Sequence, residues 1–225
     1  MNHWIVCAAA MLLLGAAAAD LGERALVWPD TFLARVKALA LLETLNAELL
    51  SHDSATVTLE QWCDQHRLAV PARVVAMRVT GIDKAPSAAQ RSELNVSDFE
   101  PVRYRRVRLS CGAMVLSEAD NWYVPGRLTA EMNKQLETTD TPFGKVVQAL
   151  KFRRHTLTAE LLWHPLPVGW EMDGMLLDGS GALAVPAEVL KHRALLTLAD
   201  GTPVSEVIET YTGNVLGFAF QSSPN

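Results

Sequence analysis

The dipeptide Asp200-Gly201 places the firmest constraint on the fold, because it separates two segments that both have the composition of β-strands. An Asp-Gly pair between two such segments is typical of a tight β-hairpin turn. Three earlier segments, "ARVVAMRVTG", "VRYRRVRLSCGAMVL" and "RRHTLTAELLW", also show alternation or the β-branched residues of strands. The sequence therefore predicts a sheet built around an antiparallel hairpin.

Helical patterns precede and interrupt these strands. "WPDTFLARVKALALLETLNAELLS" repeats apolar residues at helical spacing, with Pro29 and Asp30 in its first turn. A second helix is predicted to begin at Thr58, which can form a capping box with Gln61. Further helices are predicted after the caps Thr129 and Thr141 and over "VPAEVLK", whereas residues 82–100 are predicted to be a loop. The pattern predicts an α+β fold with a mainly antiparallel sheet and flanking helices.

The N-terminal stretch "MNHWIVCAAAMLLLGAAAAD" is an apolar run that ends in small residues. Ala17 and Ala19 fit the small-x-small pattern of a secretory cleavage site. We predict that residues 1–19 are a signal peptide, that residues 20–225 form a single domain, and that the protein is periplasmic or secreted. No Lys or Arg precedes the apolar run, so an uncleaved membrane anchor is the alternative, and only then is a membrane a partner.

The remaining composition excludes several classes of function. A net charge of −5 argues against a nucleic-acid partner, because binding phosphates needs a basic surface. No His or Cys spacing fits a metal site, and no cofactor is expected. After cleavage two cysteines remain, Cys63 and Cys111. They could pair in an oxidising compartment, but we expect two buried thiols.

Three segments carry a resemblance to a known family. They are "RRVRLSC" at 105–111, "VP" at 124–125 followed by "TPFG" at 141–144, and "ADGTPVSEVIETY" at the predicted hairpin. Together they resemble the chorismate lyase family, whose fold is shared with the ligand-binding UTRA domains of bacterial regulators. The resemblance spans residues 28–218 and implies the same α+β fold.

The resemblance also implies a pocket that encloses an aromatic carboxylate beneath helical flaps. The arginine that holds the carboxylate in the family falls on Arg106. A second arginine of the family falls on Asn121 when Val-Pro is aligned, or on Arg127 when Gly-Arg is aligned. The glutamate that acts on the ligand hydroxyl falls on Glu209 or on Glu206.

Each of these residues also has a purely structural interpretation. Glu206 and Glu209 have opposite parity along a strand, so we expect one to face the interior and the other to lie on the surface. Trp122 is a candidate ligand contact, and packing in the core is its alternative. Arg106 is the candidate carboxylate ligand, and a solvated charge on a strand is its alternative.

Two functions follow from the resemblance. A lyase that releases pyruvate and 4-hydroxybenzoate from chorismate, or acts on a related enol ether, needs cationic partners for two carboxylates and a carboxyl group that handles a proton. Asn121 cannot neutralise a charge, and an exported enzyme would meet little of a cytoplasmic substrate. We therefore expect an exported protein that binds a small aromatic or carboxylate ligand without efficient catalysis, with the lyase as the alternative.

Overall fold

The computed structural model describes residues 28–172 and 178–220. Within these residues, helices flank a six-stranded sheet, and none of the helices is long and apolar enough to cross a membrane. The helices are α1 (Phe32–Ser51), α2 (Ala55–Gln65), α3 (Ala88–Glu93), α4 (Ala130–Thr138) and α5 (Phe143–Val146). The strands are β1 (Val74–Val79), β2 (Arg103–Cys111), β3 (Met114–Tyr123), β4 (Arg153–Leu161), β5 (Glu188–Thr197) and β6 (Pro203–Thr212). The predicted α+β class is confirmed.

The strands lie in the order β1-β2-β3-β6-β5-β4, and every neighbouring pair is antiparallel. Asp200 and Gly201 lie in the turn between β5 and β6, as predicted. Gly201 has a φ of 85°, a left-handed conformation that residues with a side chain rarely adopt. This hairpin brings β6 against β3, at the centre of the sheet.

Two helices, α1 and α2, cover what we call the inner face of the sheet, which carries Val107, Ala119, Val207 and Ala194. The buried side chains of α1 recur at a helical period and pack into the same core: Ala34, Ala38, Leu42, Leu45 and Leu49. Burial of one such leucine contributes roughly 1.5–3 kcal/mol. The apolar stripe predicted for this helix is therefore what fixes it to the sheet.

A disulfide joins Cys63 of α2 to Cys111 at the end of β2. The prediction of two free thiols was wrong, because sequence spacing does not reveal which residues packing brings together. The bridge spans 48 residues, and a loop of that length corresponds to about 4 kcal/mol of stabilisation in the chain-entropy account. It ties α2 firmly over β2.

The opposite, outer face of the sheet is covered in part by residues 82–100. These residues were predicted to be a loop, but they contain α3, which begins with a capping box between Ser87 and Gln90. Just after α3, Leu94 packs against Trp122 and against Val124. The helix has six residues, too few for an apolar repeat to be visible in the sequence.

Two other predictions of local structure were wrong. The second helix begins at Ala55 with Ser54 as its cap, so Thr58 lies inside α2. "VPAEVLK" is not helical, because its second half from Glu188 is the start of β5 and pairs with β6. Cross-strand pairing has overridden a weak local preference there.

Candidate functional site

A small cavity lies on the inner face of the sheet, where α2 begins and α5 packs nearby. It has about 50 Å³ of space open to a water molecule, so a ligand with a ring would need the lining side chains to move apart. Its polar lining is Asp53, Ser54, Thr56, Arg105, Asn121 and Glu209. Its apolar lining includes Val107, Ala119, Phe143, Phe152, Leu196 and Val207.

Arg105 is the cation of this cavity. Its side chain is largely buried, with the residue 7% exposed, and Nη2 donates to the carbonyl oxygens of Thr139 at 3.2 Å and Thr141 at 2.9 Å. Nε has no partner, and no carboxylate of the described residues pairs with the guanidinium. Burial, with repulsion from Arg78, lowers the pKa of Arg105 to about 10. The cavity thus contains a buried positive charge without a counter-ion, which is costly unless an anion binds.

Arg106, the arginine expected to hold a carboxylate, lies on the outer face. Its guanidinium pairs with Glu118 and, at 3.4 Å, with Asp120. The expected residue is therefore off by one position from the arginine that lines the cavity. The alternation of β2 explains this, because Arg105 shares the parity of the buried Val107 and Leu109, whereas Arg106 does not.

The N-terminus of α2 points its first amides at the same cavity. Ser54 accepts a hydrogen bond from the amide of Val57, whereas the amides of Ala55 and Thr56 have no acceptor among the described residues. Ala55 lies about 12 Å along the helix from the disulfide at Cys63, and Val107 lies about 13 Å along β2 from the same bridge. The disulfide thus holds the positive end of the helix dipole over the strand that carries Arg105.

Glu209 is one of two carboxylates that line the cavity, the other being Asp53, and hydrogen bonds engage only one of its oxygens. Its Oε2 accepts from Arg154 Nη2 at 2.6 Å and from the Tyr211 hydroxyl at 3.1 Å. The side chains of Arg154 and Glu209 are 4% and 8% exposed. Its Oε1 has no donor within the described residues. The carboxylate therefore presents one oxygen as a free acceptor at the edge of the cavity.

The separation of the two charged residues sets the length of a ligand. Arg105 pairs with Asn121, and Asn121 with Val207, so these three form one row across the sheet. Glu209 is two residues further along β6. At about 4.8 Å between strands and about 3.4 Å per residue, the Cα atoms of Arg105 and Glu209 lie about 12 Å apart. Both residues line the cavity, so this separation is the distance between its cationic end and its acceptor end.

Asn121 lies between these charges along the sheet and is buried. Its Oδ1 accepts from the Ser205 hydroxyl at 2.8 Å, which leaves the amide nitrogen as a neutral donor. Around it the cavity wall is apolar. The site therefore combines one cationic end, one acceptor end and an uncharged middle.

Glu206 lies outside the cavity, on the outer face. Its carboxylate accepts from Arg193 Nε at 2.8 Å and from Gln90 Nε2 at 3.2 Å. The expected opposite orientation of Glu206 and Glu209 is observed, but the expectation that one lies on the surface was wrong. Both are buried, at 0% and 6% exposure, because α3 covers the outer face at this point.

Arg127 and Trp122 also lie away from the cavity. Arg127 donates to the carbonyl oxygens of Leu94 at 2.6 Å, Pro203 at 2.5 Å and Asn95 at 2.8 Å. Trp122 packs on the outer face, and its indole N–H donates to the Lys84 carbonyl at 2.8 Å. Both side chains hold the segment 82–100 against the sheet. Trp122 therefore packs in a buried cluster, which was the alternative to a ligand contact.

His192 stands beside Glu209 on the neighbouring strand and is fully buried. Burial, together with repulsion from Arg154, lowers the pKa of His192 to about 4. Nε2 lies 2.9 Å from Asn46 Oδ1, and Nδ1 has no partner. The imidazole is therefore neutral at physiological pH. No cluster of three or more metal-ligating side chains occurs within the described residues.

Two important residues were missed from the sequence, Arg105 and Arg154. Strand parity with Cys111 was a sufficient signal for Arg105, because the alternation of the strand was already visible. No comparable signal marks Arg154, since its partner Glu209 lies 55 residues further along the chain. Ser54 could have been found as a helix cap preceding "ATVTLEQW".

One curated relative shares most of the chain. The uncharacterised protein y4mC from Sinorhizobium fredii (strain NBRC 101917 / NGR234) is 56% identical over 193 residues, which are 85% of this chain and 81% of y4mC. No family model matches the chain.

Solved structures are similar at much lower identity. PhnF from Mycobacterium smegmatis is 12% identical with a TM-score of 0.48, and the match covers 78% of this chain and 70% of PhnF. A GntR-family transcriptional regulator from Enterococcus faecalis V583 is 12% identical with a TM-score of 0.40, and the match covers 66% of this chain and 99% of the regulator. Family membership rests on the relative at 56% identity.

Proposed function

The chain belongs to the same family as y4mC of Sinorhizobium fredii, and we propose that it binds a small anionic ligand in the cavity on the inner face of its sheet. The observation that carries this proposal is Arg105, a buried guanidinium that has an unpartnered Nε and no carboxylate partner within the described residues. A protein without a ligand bears the full cost of that buried charge, and an anion in the cavity would remove it.

The lining favours an aromatic or alicyclic monocarboxylate. One anionic group would lie between Arg105 and the free amides at the start of α2, because helix N-termini and guanidinium groups both favour carboxylates. A flat apolar ring would contact the wall that includes Val107 and Phe152. A hydroxyl or amino group would then meet the free oxygen of Glu209.

Binding without efficient turnover is the better-supported function. In the Val-Pro alignment the second arginine of the chorismate lyase family is replaced by Asn121, so a substrate with two carboxylates would leave one unpaired. Glu209, the expected proton-handling residue, is already engaged by Arg154. We therefore expect the purified protein to release no pyruvate from chorismate, and rapid release would support the lyase alternative.

Calorimetric titration with 4-hydroxybenzoate tests the site. Arg105→Met should weaken binding by about one to two orders of magnitude, since a hydrogen bond to a charged group contributes roughly 1.5–3 kcal/mol. Arg106→Met is the matched control, because it removes the neighbouring guanidinium from the outer face. Equal affinity of the two variants would remove Arg105 from the site.

A second pair of variants tests the helix amides. Ala55→Pro removes one N–H at the first position of α2, where proline is well tolerated, and Ser54 already has the extended backbone that precedes proline. Ala130→Pro makes the same change at the first position of α4, away from the cavity. We expect about tenfold weaker binding of 4-hydroxybenzoate by Ala55→Pro only. Equal effects of the two prolines would count against the amides.

We also propose that the protein is exported. The predicted cleavage after Ala19 lies outside the described residues, and the support comes from the disulfide between Cys63 and Cys111, since disulfides persist mainly in oxidising compartments. Fractionation of cells that express the full chain, with mass spectrometry of the mature N-terminus, should find Asp20 first in the periplasm or medium. Recovery of the uncleaved chain from the cytosol would contradict export.

A further inference from the structure

Arg154 does not line the cavity, but it pairs with Glu209, which does. Its guanidinium pairs with Glu209 at 2.6 Å, and its backbone N–H donates to Asp53 Oδ1 at 2.9 Å. Asp53 precedes the N-cap of α2 and lines the cavity. Arg154 is therefore hydrogen-bonded to two residues that line the cavity, Glu209 and Asp53.

The pair fixes the orientation of the Glu209 carboxylate. Arg154 and the Tyr211 hydroxyl both donate to Oε2, and only Oε1 remains without a donor in the described part of the chain. Burial opposes the charge on Arg154, but attraction by Glu209 and Tyr211 outweighs it and raises the pKa of Arg154. Because the guanidinium stays charged, Glu209 keeps a counter-ion although it is almost completely buried.

A carboxylate held in this way discriminates between ligands. A hydroxyl or amino group at the Glu209 end would donate to Oε1. A hydrogen atom in the same place would leave that oxygen unsatisfied, and a second carboxylate would be repelled. A protonated carboxyl group would discriminate less, because it can donate as well as accept.

We propose that Arg154 is a specificity-determining positioning residue. By occupying Oε2 of Glu209, it leaves Oε1 as the acceptor that selects monoanionic ligands with a hydrogen-bond donor at the end opposite the anion. The inference rests on the proposed function, since it concerns the ligand of the same cavity.

The test compares two probes of the same charge and nearly the same size, 4-hydroxybenzoate and benzoate, by calorimetry. Wild type should prefer 4-hydroxybenzoate by about tenfold or more. Arg154→Met should reduce that preference to about twofold or less, while benzoate binds nearly as well as before. Arg154→Lys keeps the charge and should keep most of the preference.

Folding is controlled by a double variant. Arg154→Met alone leaves Glu209 buried without a counter-ion, so Arg154→Met with Glu209→Gln removes both charges and should fold while showing no preference. An unchanged preference in Arg154→Met, or its loss in Arg154→Lys, would overturn the inference. If wild type binds neither acid, the proposed function itself fails, which is a different outcome from binding both acids with a preference that ignores Arg154.

Discussion

Two glutamates of β6, three residues apart, show how differently the two faces of the sheet are used. Glu209 faces the cavity on the inner face and Glu206 faces α3 on the outer face. Both are almost completely buried, and both are paired with an arginine, Arg154 and Arg193 respectively. Residue type and burial alone do not distinguish them.

The difference lies in how many groups share each arginine. Arg154 is 4% exposed and has Glu209 as its carboxylate partner, whereas Arg193 is 27% exposed and pairs with both Glu206 and Glu93. Arg154 and Glu209 pair one to one, and Oε1 of Glu209 has no donor within the described residues. On the outer face two carboxylates share one guanidinium.

Glu93 is the partly exposed carboxyl of this cluster. Burial raises the pKa of Glu93, the attraction of Arg193 opposes this, and the neighbouring Glu206 raises the pKa further. Glu206 Oε2 is buried without a partner, so a neutral donor at position 93 could satisfy it. The outer cluster therefore anchors α3 through one guanidinium that two carboxylates share, while on the inner face Glu209 lines the cavity.

The two pairs should differ most in the free energy of unfolding that is lost when the arginine of each pair is replaced. Arg154→Met leaves Glu209 buried with no counter-ion, so we expect a loss of about 3–5 kcal/mol in the free energy of unfolding. Arg193→Met should cost only about 1–2 kcal/mol, since Arg193 is partly exposed and Gln90 still donates to Glu206. Urea unfolding at neutral pH measures both. Equal losses would mean that the two pairs are energetically equivalent.

The inner face should also carry a pH dependence through His192. Its pKa is about 4 in the folded protein against an ordinary 6.5, so the unfolded chain binds the proton more readily. Stability is therefore complete above pH 6.5 and falls as the pH drops towards 4, by up to about 3 kcal/mol. The groups that face His192 are Arg154, Glu209 and Tyr211.

His192→Gln should flatten this dependence. The measurement is the difference in unfolding free energy between pH 7 and pH 4.5, in wild type and variant. A variant that loses as much stability as wild type over this interval would show that other groups dominate acid unfolding.

The outer cluster should respond to pH in the opposite sense. The pKa of Glu93 is raised on folding, so its contribution is complete below the ordinary range of a glutamate and is lost as pH rises through the folded value. Glu93→Gln keeps a neutral donor beside Glu206 at every pH. We expect this variant to gain on the order of 1 kcal/mol over wild type at pH 8 and nothing at pH 4.

Thermal unfolding of both proteins at pH 4 and pH 8 checks this prediction. A variant less stable than wild type at pH 8 would mean that the attraction between Glu93 and Arg193 outweighs the repulsion between Glu93 and Glu206.

The comparison also shows what the sequence could reveal. Asp200-Gly201 and the alternation of the strands were sufficient for the antiparallel α+β fold, because hairpin turns and strand periodicity are local properties. The opposite orientation of Glu206 and Glu209 was visible in the same way. Burial of both was not, because the cover over Glu206 comes from α3, a six-residue helix without an apolar repeat.

The site was predicted less well than the fold for a related reason. The resemblance counted five residues back from Cys111 and reached Arg106, while the strand's own alternation indicated Arg105. Arg154 depends on contacts across the fold and has no local pattern, whereas the Ser54 cap before Ala55 was a local signal that was missed. Residues that line the cavity from a strand were accessible to sequence reasoning, and residues that act through another residue were not.

Replacement of Arg106 should have the smallest effect on the free energy of unfolding. Arg106 and Arg105 are neighbours on β2 but face opposite sides of the sheet, so the pair compares the two faces directly. Its side chain is 26% exposed and pairs with Glu118 and Asp120 near the surface, and such ion pairs contribute about 0–1 kcal/mol. Arg106→Gln should therefore lower the unfolding free energy by less than about 1 kcal/mol, and less still at high salt because exposed charges are screened.

Arg105→Gln, measured without ligand, is the comparison variant. It removes a buried charge that has no ion pair within the described residues, so salt should not change its effect. Urea unfolding in low and high salt should show a salt-dependent difference for Arg106→Gln only. If added salt changed the effect of Arg105→Gln as well, the guanidinium of Arg105 would be in contact with solvent ions. The cavity would then be open at its cationic end, and the ligand's anionic group would bind in a hydrated site with correspondingly weaker affinity.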